Sequence, residues 1–372
     1  MMSSKLITEG KKEKTQNRHQ KFLFFVKILI LLTANLGCQR EIQTVQESRI
    51  LMDTMVSIHV YAAKPADEPA IRRAMAAAFA EMSRLDSLLS AYRSDSEAAA
   101  INQNAASVNV PVSSDMDSVL QMAQWAAQIS NGAFDVTIAP VLRLWGFGTD
   151  SLGLPASDKI AARLPLVDAQ NLVMSNEINS PKHSVHFRRH NMAIDLGGVA
   201  KGYVVDRGLA LLVQAGWRDA MITAGGDLRT VASPLTAGRR YIWIQHPRAA
   251  HSDSTENKTG NFFGRFKLDA GAVSTSGDYE RFFFKDGKRF HHIIDPHTGY
   301  PAMRVVSATV ITRQAVVADA LSTTLFVLGP ERGIALADSL PEVDAVIIYA
   351  DGEKLKWRAT LALKNKLEVF HQ

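Results

Sequence analysis

Cysteine is almost absent: the 372-residue chain has one, Cys38. That excludes a disulfide framework, a thiolate zinc site and an iron–sulfur cluster. No G-x-G-x-x-G fingerprint occurs, which removes the dinucleotide-binding turn of a Rossmann fold. No G-x-S-x-G elbow supports a serine hydrolase. Internal repeats are missing too, so a solenoid is excluded. Also missing is a basic excess in the body of the chain. The formal charge is +5, but residues 1–37 hold seven basic residues against two acidic, and residues 38–372 hold 35 of each sign. The body is neutral, and the electrostatic case for nucleic acid fails. What remains, 47% hydrophobic and 21% charged, is neither a disordered chain nor a coiled coil, and supplies a sizeable core.

The basic leader runs into Phe22–Leu32 and then Thr33-Ala-Asn-Leu-Gly-Cys38. A positive start, a short apolar stretch and small residues before a cut site describe a secretory signal peptide over residues 1–37. Lys27 interrupts the stretch, which is too short and too broken for a membrane-crossing helix. Cys38, preceded by Leu36-Gly37, resembles the lipidated cysteine of a bacterial lipobox, although Asn35 departs from the usual branched apolar residue. An ordinary buried cysteine is the competing reading. Acyl chains contribute about 0.8 kcal/mol per buried methylene, so lipidation at Cys38 would hold the body at a membrane surface. Residues 38–50 would then be the lipidated cysteine and a polar, unpatterned tether, and 51–372 the exported body. The expected location is the periplasm-facing side of a bacterial inner membrane.

In the body, Met55–Tyr61 alternates like a strand. Asp67-Glu-Pro opens a helix whose Ile71, Met75, Ala78, Phe79, Met82 and Leu85 recur at helical spacing. A second helix is expected from Ser114 to Ile129, stopped by Asn131-Gly132. Ala193–Leu196 is expected as a short strand, Gly197-Gly198 as a turn, and Val199–Ala215 as a helix closed by Gly216. Further strands are expected at 220–223, 241–245, 263–268, 305–312, 345–349 and 355–360, with a helix of about 13 residues from Ala315. The polar stretch Ala249–Gly260 reads as a surface loop. Strands and helices do not alternate steadily, so the fold class is α+β, one compact unit of layered parts.

Polar clusters interrupt this patterning at Ala91–Glu97, Gly132–Pro140, Asp195–Gly202, Ser274–Glu280 and His292–Gly299. Asp195-Leu-Gly-Gly-Val-Ala-Lys-Gly202 places an acid before a glycine turn and a lysine in the first helical turns. Such a turn suits a phosphate, with backbone amides and a cation converging on it, or it is a plain tight turn with a surface lysine. Asp319 and Thr323, four apart on one helix, offer two hard oxygens suited to Mg²⁺, or simply form a solvated face. His291, His292, Asp295 and His297 would make a poor zinc site because Pro296 and the turn-like Thr298-Gly299 do not give facing ligands. One of these histidines suits a proton carrier or phosphate partner, and Asp295–Gly299 a rigid turn.

Taken in order, eight motifs resemble the FAD:protein FMN transferase (ApbE) family over about residues 50–362. They are Met52-Asp-Thr-Met55, Tyr92 with Asp95-Ser-Glu97, Gly132–Asp135 with Trp145–Gly148, Asp195–Gly202, Ala224-Gly-Gly-Asp227, Ser274–Asp278, His292–Gly299 and Ala318–Thr323. The resemblance implies a T-fold-like α+β architecture of antiparallel sheets and helices. It implies transfer of FMN from FAD to a threonine or serine hydroxyl of a partner protein, with release of AMP. The implied partners are membrane flavoproteins of the sodium-pumping quinone reductase (Nqr) and Rnf type, or exported flavin reductases.

Residue by residue, the resemblance implies Mg²⁺ ligation by Asp319, Thr323 and the Gly198 carbonyl, and FAD contacts from Asp195 and Lys201. Met52, Tyr92, Ala133, Phe134, Asp135 and Ile293 would line the flavin and adenosine pockets. His292 and Asp278 are the candidates for taking the acceptor's proton. Asp53 stands where the family usually has glycine. The chain carries no copy of the family's acceptor motif (Asp, two residues, Ser/Thr-Gly-Ala-Thr), so modification is expected in trans. The competing readings are an FAD pyrophosphatase with water as acceptor, a non-catalytic FAD-binding lipoprotein, and, last, a zinc hydrolase.

Overall fold

The structure, a computed structural model, describes residues 42–62, 67–147, 149, 151–176, 183–249, 261–352 and 354–370. The leader, Cys38 and nearly all of the polar stretch 249–260 lie outside the described residues.

Eight strands form one antiparallel sheet in the order in which the chain presents them. They are β1 (Gln43–Leu51), β2 (Thr54–Ala62), β3 (Ala220–Ala224), β4 (Asp227–Val231), β5 (Gly271–Gly277), β6 (Ser307–Thr312), β7 (Asp344–Asp351) and β8 (Lys354–Ala359). Four helices matter for the site: α1 (Glu68–Leu89), α2 (Ser114–Ile129), α3 (Ala200–Gln214) and α4 (Ala315–Leu328). Successive residues of a strand face opposite ways, and here the two faces feed two cores. Ala272, Ala308, Val310, Ala345 and Ile347 join the core built with α1 to α4. Val273, Ile311, Val346 and Ile348 join Ile242, Ile244, Phe263 and Phe266 of a small three-stranded sheet on the other side. The strands therefore read as apolar on both faces; all six residues of β6 are buried.

The helices follow the same logic. The expected stripe of α1 is buried in full, from Ile71 to Leu85. Eleven residues of α4 are buried, which is why its sequence is apolar nearly all round. The α+β expectation holds: mixed helices and antiparallel sheets form one compact unit over Gln43–Gln372.

Two local expectations fail. Residues 43–51 are no tether: β1 pairs with β2 residue by residue, from Gln43–Ala62 to Leu51–Thr54. Only Val45 on it is buried, because β1 is the sheet's outer strand and its polar side chains guard an open edge. Ala193–Leu196 forms no strand either. Its backbone is satisfied by the side chain of Asn102, which accepts from Ile194 N (2.6 Å) and donates to Ile194 O (3.0 Å), while Asp195 N donates to Val136 O.

Candidate active site

A cavity of about 840 Å³ opens where α3 begins, where the first turns of α4 pass, and where the β3–β4 turn ends. Residues 91–92, 133–136, 195–198 and 292–294 contribute to its lining. Its size lies within the range of small-molecule sites, roughly 300–1,000 Å³.

The two helices are locked together before any ligand is considered. Asp206 of α3 accepts from Ala315 N and Val316 N (3.0 Å each), so its carboxylate caps α4. Burial pushes that carboxyl up, and Arg229, donating at 2.5 Å, works against the shift. Gly202 is required at the crossing, since a Cβ there would stand 2.2 Å from Ala315 O. Its own N–H is one of the unpartnered donors that begin a helix, and it donates to Asp319 Oδ2 at 2.9 Å. The α4 carboxylate thus caps α3, as the α3 carboxylate caps α4.

On this frame Asp319 and Thr323, one turn apart, face the cavity with Gly198. A Cβ at Gly198 would lie 3.4 Å from Thr323 Oγ1 and 3.0 Å from the Phe134 ring, so the glycine keeps that space open. Thr323 Oγ1 is 3.2 Å from Ser276 Oγ, itself 2.8 Å from Ser322 Oγ. Lys201 Nζ lies between two carboxylates, 2.7 Å from Asp227 and 3.4 Å from Asp319. Burial and the charge of Asp227 push the Asp319 carboxyl up, against the pull of Lys201. Lys201 is held above its usual range by Asp227 and Asp319, which outweigh its desolvation.

Across the cavity, Tyr92 donates to Asp195 Oδ2 at 3.1 Å, and Gly197 N donates to Asp195 Oδ1 at 2.8 Å. The negative charge of the adjacent Asp195 pushes the Tyr92 phenol up to about 12. Ala133, Phe134 and Ile293 form buried apolar wall. Met52 and Asp53 also line it, in the turn joining β1 to β2, at φ 52° and 55°. That left-handed backbone favours glycine, and aspartate is among the side chains that tolerate it. Asp135 lines the cavity, but its oxygens are taken by Thr137 N, Thr137 Oγ1 and Ala169 N at 2.6–2.8 Å. It is therefore a buckle for the loop rather than a free ligand; burial pushes its carboxyl up against those three bonds.

His292 also lines the cavity. Its Nδ1 lies 3.3 Å from Arg281 O, and a carbonyl only accepts, which assigns the proton to Nδ1 and leaves Nε2 as acceptor. Loss of solvent, then the neighbouring His291, lowers its pKa to about 4, so the ring is neutral at pH 7.

Asp278 is the site residue that the structure takes away. It does not line the cavity; Arg248 grips its two oxygens at 2.6 and 2.5 Å, and Arg289 stands at 3.8 Å. Its N–H donates to Val306 O at 3.0 Å as the chain leaves β5, and the residue is buried beside this arginine pair. A carboxylate so engaged anchors Arg248 to the end of β5. The zinc reading also finds no support in geometry: His297 bonds Asp295 and Asn131 O, His291 is buried against Phe326, and no cluster of three His, Cys, Asp or Glu side chains able to hold a metal occurs among the described residues. Sequence reading gave no role to Asp227, Ser276 or Arg281. A Gly-Gly-Asp turn after a strand was the available signal for the first.

The chain matches the ApbE family model over residues 52–347. It is 30% identical over 341 residues to the FAD:protein FMN transferase of Treponema pallidum, covering 90% of this chain and 91% of that protein. The crystal structure of the ApbE protein of Thermotoga maritima superposes with a TM-score of 0.75 at 30% identity, over 87% of this chain and 99% of that one. The flavin transferase ApbE of Vibrio cholerae superposes with a TM-score of 0.73 at 28% identity, over 87% and 99%. With its fold and most of its length shared in this way, the chain belongs to the ApbE family.

Proposed function

We propose that this chain transfers FMN from FAD to a threonine or serine hydroxyl of a partner protein and releases AMP. The observation that carries the reading is the meeting of Gly198, Lys201, Asp319, Thr323 and His292 around one cavity, in a chain whose relatives are named FAD:protein FMN transferases. A carboxylate, a hydroxyl and a backbone carbonyl are hard oxygen donors, and the space that Gly198 keeps free beside Thr323 fits Mg²⁺. Bound there, the ion would supply positive charge to the oxygens of the FAD pyrophosphate.

The chain's own residues do the rest. Phe134 and Ile293 give the flavin an apolar wall, and the Tyr92–Asp195 pair gives it a polar edge. His292 Nε2 takes the proton of the acceptor hydroxyl. The acceptor oxygen forms a bond to the FMN phosphorus, and the anhydride bond breaks with its bridging oxygen leaving on AMP. Lipidation at Cys38 would hold the enzyme at a membrane surface beside membrane-bound acceptors of the Nqr or Rnf type, raising their effective concentration.

The test uses the body from residue 39 with FAD, Mg²⁺ and an acceptor domain carrying the family's motif, read by intact mass. A gain of one FMN, lost on chelation, is expected. Free FMN and AMP with an unmodified acceptor would favour a pyrophosphatase, and bound FAD without turnover would leave a carrier.

A further inference from the structure

Asp227 is 1% exposed, and among the described residues neither of its oxygens has a hydrogen-bonding partner other than the Lys201 ammonium. Its one close countercharge there is Lys201, at 2.7 Å. A buried carboxylate cannot lose such a partner without being left charged and unsolvated. Lys201 therefore lies closest to Asp227 and reaches Asp319 Oδ1 only by a longer hydrogen bond, at 3.4 Å.

We propose that Asp227 is a positioning residue: by retaining Lys201 it keeps the ammonium from closing on Asp319, and so keeps the cation site open. The inference rests on the assignment of Asp319 and Thr323 as ligands of a divalent ion. Lys201, which lines the cavity as an expected FAD contact, is then also the counterion of Asp227.

Removing the charge of Asp227 while keeping its shape frees Lys201 to pair with Asp319 and to compete with the ion. Mn²⁺ is the probe, titrated into the body from residue 39 and followed by electron paramagnetic resonance without FAD, so that turnover plays no part. Thermal melting of each variant checks folding. Asp227→Asn should weaken Mn²⁺ binding by roughly tenfold or more, the scale of one unit charge a few ångströms away. Adding Lys201→Met to that variant should restore most of the lost affinity, because the competitor is gone.

Unchanged affinity in folded Asp227→Asn would overturn the inference, and so would failure of the double variant to recover. The second result would mean that Asp227 binds the ion itself. Absence of Mn²⁺ binding by the unmutated protein would overturn the metal-site assignment beneath it, a result distinct from the other two.

Discussion

At the scale of single residues, the site separates charge from hydrogen bonding well enough to test each. Asp319 both faces the cation space and caps Gly202 N, so Asp319→Ala would remove two things at once. Asp319→Asn keeps the acceptor and loses the charge; it should melt near the unmutated protein yet transfer no FMN at any practical Mg²⁺ concentration. Ordinary flavinylation by that variant would refute the ligand assignment. His292→Ala should lower the transfer rate by about 10²–10⁴, the usual contribution of a positioned proton acceptor, with FAD binding little changed. Its neighbour His291 gives a pH test. His291 is 2% exposed, its Nε2 has no partner among the described residues, and burial lowers its pKa from 6.5 to about 4. Between those values the unfolded chain binds the proton and the folded chain does not, so stability falls as pH drops from 6.5 towards 4. The share of His291 is about 2 kcal/mol by pH 5. Urea unfolding at pH 7 and pH 5 should show this loss, and His291→Gln should reduce it.

At the scale of elements, the α3–α4 pair is the working part. Gly202→Ala would drive a Cβ into Ala315 O and part the helices. A loss of about 2 kcal/mol or more is expected, with a fall in Mn²⁺ affinity, since Gly198 and Lys201 lie at one helix and Asp319 and Thr323 on the other. Wild-type metal affinity in a destabilised variant would show that the crossing serves stability alone. Both helices were legible in the sequence: α3 is bracketed by the Gly197-Gly198 turn and Gly216, and α4 is an apolar run opening at Ala315. The central strands were legible as apolar runs. What was not legible depends on contacts distant in sequence. Extended backbone at 193–196 looks like a strand, but its partner is one side chain, Asn102, on another segment. Ser-Gly-Asp identifies an acid at the end of β5 without saying that Arg248, from beyond β4, captures it. Asp227 reads as a turn residue, and only the fold shows that Lys201 is its counterion.

At the scale of the whole molecule, the most consequential correction is where the folded body begins. An exported protein needs a stretch between its anchor and its fold, and the polar residues 39–50 looked like that stretch. All nine residues from 43 to 51 are instead β1, pairing along its whole length with β2. The turn that follows carries Met52 and Asp53 into the cavity lining, held by Met52 N donating to Asp86 Oδ2 at 3.1 Å. A body started at residue 39 keeps this strand; one started at residue 52 exposes the edge of β2 and frees the turn. With the hydrogen bonds of a nine-residue strand and the burial of Val45 removed, the shorter body should lose about 3 kcal/mol or more of stability. It should also bind FAD more weakly, because one wall of the cavity has lost its support. Thermal melting and FAD titration of the two bodies side by side decide the matter. Equal melting temperatures would mean that β1 is an ornament on the sheet and that residues 43–51 serve chiefly as the spacer their composition suggested.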